Sequence, residues 1–284
     1  MFGTAMRRGL VTAVVATVLG GSLTACNDGD GANEVFGGGG PQATASGGGG
    51  GGDSSSGEVE AGVVKGRVTD SAGNPIKGAE IVVDNQLLYD SNLVLVTDAK
   101  GNYRAEMPGI AATYNVTASF EKTYNNTTYT FRLAPDNPEM FVGQEGAVRD
   151  FTWKLTGEQP DASDSFYGGS VLFNLSPINP VDDSYVDSAG VKLTLTPVGP
   201  LVDGSTGKSV TKSAENTGDG WGVRDIPVGR YKITATFTGE SGRTQPLRVR
   251  LREDGGPYAA DVTADFEPYL TDHQRIELEL ALQS

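Results

Sequence analysis

Residues 66–83 read Gly66-Arg67-Val68-Thr69-Asp70-Ser71-Ala72-Gly73-Asn74-Pro75-Ile76-Lys77-Gly78-Ala79-Glu80-Ile81-Val82-Val83. Val64, Gly66 and Val68 alternate with Lys65, Arg67 and Thr69, which is the period of a half-buried strand. Asp70 to Pro75 is dense turn chemistry: Asp and Asn bond to nearby backbone, Gly takes positive φ and Pro fixes the exit. A second apolar run, Ala79-Glu80-Ile81-Val82-Val83, follows at once. Strand, tight turn, strand is the building unit of an all-β domain.

The unit recurs outward along the chain. Apolar runs at 93–97 and 102–106 flank the turn Asp98-Ala99-Lys100-Gly101, and further strands read at 114–120, 129–133 and 148–155. No stretch here has a helical period, so short strands separated by turns predict a sandwich or barrel. Residues 157–166 are polar and contain Pro160, which places a linker there. The strand pattern resumes at 170–175, 191–196, 221–225, 231–237, 247–252, 261–266 and 276–282. Asp187-Ser188-Ala189-Gly190 echoes Asp70-Ser71-Ala72-Gly73. The run from Gly220 to Tyr231 echoes the run from Gly101 to Tyr114. The chain therefore divides into folded regions at 61–156 and 167–284.

Gly66-Arg67-Val68-Thr69-Asp70, Gly73-Asn74-Pro75-Ile76-Lys77-Gly78-Ala79, Ile81, Thr97-Asp98 and Gly101-Asn102-Tyr103 resemble the carboxypeptidase regulatory-like domain. That resemblance implies a transthyretin-like (prealbumin-like) antiparallel sandwich of seven strands, and residues 167–284 look like a second, divergent copy. It also implies that Tyr103, Tyr114 and Tyr231 pack inside. Pro227-Val228-Gly229-Arg230-Tyr231 keeps the Pro-x-Gly-x-Tyr spacing of the family, while the first copy has a longer step from Pro108 to Tyr114. Gly78 is expected to allow a close backbone approach at the start of its strand.

The amino terminus carries a different signal. Arg7-Arg8, an apolar run from Leu10 to Leu19 and Gly20-Gly21-Ser22 form the n-region, h-region and small-residue cleavage site of a secretory signal. Ten or so apolar residues are too few to span a bilayer, which needs roughly 20 in a helix. Leu23-Thr24-Ala25-Cys26 resembles a bacterial lipobox, and Cys26 is the chain's one cysteine. The resemblance implies cleavage after residue 25 and lipidation of Cys26, with two or three acyl chains giving a stable membrane anchor. The expected location is the extracytoplasmic face of a cell membrane, or an outer membrane where the envelope has one. The Arg7-Arg8 pair leaves general and twin-arginine export both open. Residues 26–60, rich in Gly and Ser, then read as a flexible tether with a reach of about 30 Å.

Composition narrows function by exclusion. The formal charge is −14, and cleavage would remove Arg7 and Arg8 but no acid, so the mature chain is more acidic still. That argues against nucleic acid as a partner. His273 is the one histidine, which rules out any two-His metal site within the chain. No hydrolase, nucleotide-binding or zinc-protease motif occurs, so no catalytic residues, metal or cofactor are assigned and the chain reads as a non-enzyme. Asp182, Asp183, Asp187 and Ser184 share one loop whose oxygens suit Ca²⁺, but the spacing is not that of an EF-hand and a solvated acidic loop fits equally. Aromatic residues supply the remaining candidates. Trp221 aligns with Asn102 and so could face outward, and Tyr124 and Tyr129 flank Asn125-Asn126. Either sugar stacking or core and inter-domain packing suits them. The sequence therefore points to a lipid-anchored surface module, binding or structural, whose alternatives are a carbohydrate- or cell-wall-binding lipoprotein and an accessory subunit of an envelope enzyme. Its partners would be the membrane and then a polysaccharide, peptidoglycan or an envelope protein.

Overall fold

The computed structural model describes residues 57–179, 183–253 and 255–282, all within one unit running from Gly52 to Ser284. Leu23, Thr24, Ala25, Cys26, the rest of the expected signal and most of the expected tether lie outside these residues, as does Asp182. The first region contains β1 (Val63–Thr69), β2 (Glu80–Asn85), β3 (Leu93–Val96), β4 (Asn102–Glu106), β5 (Thr113–Tyr124) and β6 (Thr127–Arg132). Four short pieces follow: β7 (Ala134–Pro135), β8 (Phe141–Val142), β9 (Ala147–Val148) and β10 (Phe151–Thr152). The second region contains β11 (Gly169–Leu175), β12 (Val191–Leu201), β13 (Val210–Ser213), β14 (Glu215–Asn216) and β15 (Trp221–Ile226). It ends with β16 (Gly229–Thr238), β17 (Thr244–Leu251), β18 (Val262–Ala264), β19 (Glu267–Leu270) and β20 (His273–Leu282).

The two regions share one topology. In the first, a sheet ordered β3-β2-β5-β6 packs on a sheet ordered β4-β1-β10-β7. In the second, β13-β12-β16-β17 continues into β20-β11-β15-β14. The strand β17 makes the corner: Thr244 to Pro246 pair with β16, and Leu247 to Leu251 pair with β20. In both regions the first strand runs parallel to the last, β1 beside β9 and β10, and β11 beside β20. These are tandem prealbumin-like sandwiches, the arrangement that the family resemblance implies.

Alternation builds the cores. Tyr114, Val116 and Ala118 on β5 face Val64 and Val68 on β1, while Tyr231, Ile233 and Ala235 on β16 pack with Ile276, Leu278 and Leu280 on β20. Tyr103, Tyr114 and Tyr231 are all buried, as the resemblance implies. The turns follow the local chemistry. Asp70 Oδ1 accepts the N–H groups of Ala72 (2.9 Å) and Asn74 (2.8 Å), and Asp98 Oδ1 accepts those of Lys100 and Asn102 (both 2.8 Å). In both, the Gly at the fourth position has positive φ, +85° at Gly73 and +77° at Gly101. Asp187 makes the first of these bonds, accepting Ala189 N–H at 2.9 Å, at the start of a short 3-10 turn.

Three details depart from expectation. A Cβ on Gly78 would meet nothing within 4 Å; its φ of +80° is what requires glycine, whereas the close approach is at Gly66, where a Cβ would lie 1.8 Å from the Arg149 carbonyl oxygen. The expected strand at 148–155 is broken between β9 and β10 by Arg149, which is buried and donates to the carbonyls of Val148 and Glu139, each at 2.8 Å. Residues 157–166 are not a bare connector. Gln159 is buried and donates to the Phe166 carbonyl at 3.0 Å, Asp161 pairs with Arg132, and Asp164 pairs with Arg224 at 2.6 Å. Their polarity reflects side-chain partners on both sandwiches rather than solvation alone.

Candidate functional site

The hairpin joining β5 and β6 reaches beyond its own sandwich. Asn125 (φ 47°) and Asn126 (φ 67°) both occupy the left-handed region, the requirement of a type I′ turn and one that Asn meets better than most residues. The turn carries flanking side chains onto the second sandwich. Tyr124 donates its hydroxyl to the Pro200 carbonyl at 2.8 Å and accepts the Arg230 N–H at 3.1 Å. Asn125 donates to Asp265 Oδ1 at 2.7 Å. Tyr129 donates to the Phe266 carbonyl at 2.7 Å, and Gln274 donates to the Thr130 carbonyl at 2.8 Å. Burial pushes the Tyr129 hydroxyl up to about 12, with Asp265 adding to the effect, so it stays a donor across the biological range.

The aromatic candidates are therefore structural. Tyr129 has no exposed surface and so presents no ring face to a ligand, and the Tyr124 hydroxyl is committed to the junction. Trp221 is corrected by its register. It pairs directly with Phe173, and Val223 pairs with Val171; both β11 partners are core residues, so Trp221 shares the inward face of the sheet. Its equivalent by face is Tyr103, which pairs with Gly66, and not Asn102. It is half-buried against the edge of the core.

The acidic loop offers little to a cation among the described residues. Asp187 caps its own turn, Asp183 has a φ of 58°, and no group of three or more His, Cys, Asp or Glu side chains converges anywhere in the described part. His273 Nδ1 lies 2.8 Å from Asp272 Oδ1 on the surface. No helix among the described residues is long and apolar enough to cross a membrane.

A groove that residue patterns did not reveal lies on the second sandwich. It has a volume of about 520 Å³ and is lined by Glu253, Thr263, Asp265, Glu267, Tyr269 and Arg275, among others. Arg275 sits over the Tyr269 ring, 3.2 Å from its centroid, and pairs with Glu277, which Arg252 also reaches at 3.0 Å. Tyr269 nevertheless stays 47% exposed on β19, an edge strand. The arrangement offers an aromatic surface beside hydrogen-bonding groups of both signs. Pairing of β19 with β20 sets Glu267 beside Arg275, while Thr263 comes from β18 and Glu253 from just beyond β17, which explains why spacing along the chain hides the groove.

No curated protein sequence matches the chain. Solved structures that resemble it include a leucine-rich repeat protein from Bacteroides thetaiotaomicron, 11% identical with a TM-score of 0.26. That match covers 78% of this chain, which spans 27% of the other's length. A shaft pilin from Lactobacillus rhamnosus GG is 12% identical with a TM-score of 0.23, over 79% of this chain and 99% of that one. A single B repeat unit of the collagen-binding surface protein of Staphylococcus aureus is 10% identical with a TM-score of 0.21, over 78% and 98%. Likeness at this level says nothing of ligand or assembly. The family model described as the carboxypeptidase regulatory-like domain matches residues 63–142, from the start of β1 to the end of β8, and so assigns the first sandwich its domain type.

Proposed function

We propose that the chain is a lipid-anchored, extracytoplasmic, non-enzymatic protein whose folded part is a stiff pair of sandwiches held away from the membrane by a tether. The observation that carries the structural half is the junction. Tyr124, Asn125, Tyr129 and Gln274 all serve to hold one sandwich on the other. The anchor half rests on Leu23-Thr24-Ala25-Cys26 after a secretory signal, and the tether on the Gly and Ser content of residues 26–60. The second sandwich enters as a divergent copy of the same family because its strand order repeats that of the first. The test is expression of the full chain and of Cys26→Ser with a labelled fatty acid. Label in the membrane fraction of the wild type, and loss of both label and membrane retention in the variant, are expected. A mature, membrane-bound Cys26→Ser protein contradicts the anchor, and reproducible turnover by the purified protein contradicts the non-enzymatic role.

A second reading, retention of a polysaccharide or of peptidoglycan, moves from Trp221 to the groove beside Tyr269. The half-exposed ring next to Glu267 and Thr263 supports it, since sugar faces stack on aromatics while their hydroxyls bond to flanking polar groups. Retention on a panel of insoluble polysaccharides that Tyr269→Ala weakens would favour this reading. Retention unaffected by that change would remove the groove from it.

A further inference from the structure

The first sandwich presents a built apolar tip at the end where the chain enters it. Residues 86–92 join β2 to β3, and within them Leu87, Leu88 and Tyr89 are 66%, 48% and 101% exposed. The tip is braced rather than loose. The side chain of Asn85, itself buried, accepts the N–H groups of Leu87 (2.9 Å) and Leu88 (3.1 Å). Asn92 Oδ1 accepts the Asn85 N–H at 3.2 Å, and Ser91 Oγ donates to the Leu88 carbonyl at 2.8 Å. A buried polar side chain thus holds three large apolar side chains out in water, which costs free energy unless something covers them.

Backbone bonds locate this end. Gln86 N–H donates to Thr113 at the start of β5, Gly143 N–H donates to Ala112, and Gly62 N–H, just before β1, donates to Gln144, each at 3.0 Å. Ile110, 39% exposed in the loop before β5, belongs to the same end. The opposite end of the sandwich carries the turns at Asp70 and Asp98, and the β5–β6 hairpin bound to the second sandwich. Residues 1–56, with the lipobox, precede the described part, so the exposed apolar side chains lie where the chain arrives from its anchor.

We propose that Leu87, Leu88 and Tyr89 dip into the surface of the lipid bilayer, a contact that rests on the anchored reading above and adds a docked state to it. A three-residue protrusion is far smaller than the roughly 800 Å² per partner of a stable protein interface. It matches the chemistry of an interfacial wedge, with Tyr at headgroup level and Leu below. Residues 84–92 include Asp84 and Asp90 and no Lys or Arg, so the contact is apolar and does not depend on anionic lipid. Anchoring raises the local concentration of bilayer, which makes a weak wedge effective.

The test uses the full lipidated chain in phosphatidylcholine vesicles with brominated acyl chains. Tyr89→Trp is compared with the wild type, whose Trp153 and Trp221 set the background, and with Ser71→Trp at the opposite end. Added quenching in Tyr89→Trp, none in Ser71→Trp, little change with salt, and at least a twofold loss of that quenching on adding Leu87→Ser and Leu88→Ser are expected. A membrane-bound Tyr89→Trp protein with no added quenching overturns the wedge while leaving the anchor intact. Quenching lost in high salt overturns it as an apolar contact. Unquenched Tyr89→Trp together with a dimer that Leu88→Ser dissolves overturns it in favour of a second copy. Release of the protein from membranes would instead count against the anchor, and quenching with added vesicles would then still support the wedge.

Discussion

Gly66 sits where β1 passes beneath the Arg149 carbonyl, to which Tyr103 also donates its hydroxyl at 2.7 Å. A methyl group there would overlap backbone, which cannot swing aside, so Gly66→Ala must displace the broken last strand. The expected cost is about 3 kcal/mol or more, read as a lower urea midpoint with unchanged slope. Asp150, the residue after Arg149, makes a different kind of prediction. Burial raises its carboxyl, neighbouring Asp136 adds to the rise, and the Arg67 N–H bonded at 2.7 Å opposes it. An acid held above its unfolded value keeps its proton longer in the folded state. Its ionisation therefore costs stability as pH rises from the unfolded carboxylate range through the folded value, and the cost is fully present at neutral pH. Asp150→Asn keeps an acceptor for Arg67 and removes that cost. Its melting temperature should exceed that of the wild type at pH 7 and converge with it toward pH 3; a lower value at pH 7 would show that the carboxylate is stabilising after all.

At the scale of elements, the β5–β6 hairpin is the part with the most consequence. Asn125→Ala loses both the side chain best suited to a φ of 47° and the bond to Asp265, so it should cost about 1–2 kcal/mol. A double-mutant cycle with Asp265→Ala should return a coupling of about 0.5–1 kcal/mol, and a coupling near zero would mean the cost is all in the turn. Asn126→Gly suits the I′ turn and should be neutral or slightly stabilising. How much of this the sequence discloses depends on how local each determinant is. The run from Gly66 to Val83 is legible because its period and its Asp-x-x-Gly-Asn turn need no distant partner. The position of Tyr129 is not, because its hydroxyl finds Phe266, 137 residues away. Trp221 misleads for a related reason. Its face is set by pairing with Phe173 next to the irregularity between Gly169 and Val171, and a single step in register exchanges inside for outside. The groove at Tyr269 is hidden for a related cause, since its residues come from β18, β19, β20 and the end of β17 and meet only once the strands pair. The polar stretch at 157–166 shows that composition identifies a connection without showing whether it is docked.

For the whole molecule, the question is whether the sandwiches behave as two bodies or one. Each has its own repeated topology and a full set of alternating core residues, which would allow independent folding. Against this, the junction is partly dry. Tyr129 and Phe266 are both fully buried, Gln274 is 4% exposed, and the strap at 157–166 ties Arg132 of the first sandwich and Arg224 of the second into one short segment. Separation would bare these groups together, so loss of either sandwich should destabilise the other. Scanning calorimetry of the protein should show a single transition whose calorimetric and van't Hoff enthalpies agree. Tyr129→Phe leaves the buried Phe266 carbonyl without its partner, at a cost of about 1–2 kcal/mol, and should lower the midpoint by several degrees while keeping one transition. Combining it with Tyr124→Phe and Gln274→Ala removes four of the bonds across the junction while keeping both aromatic rings, and the transition should then split. Two transitions already present in the wild type would mean that the hairpin aligns the sandwiches without coupling them, and the stiffness on which the proposed surface role depends would have to come from the docked strap alone.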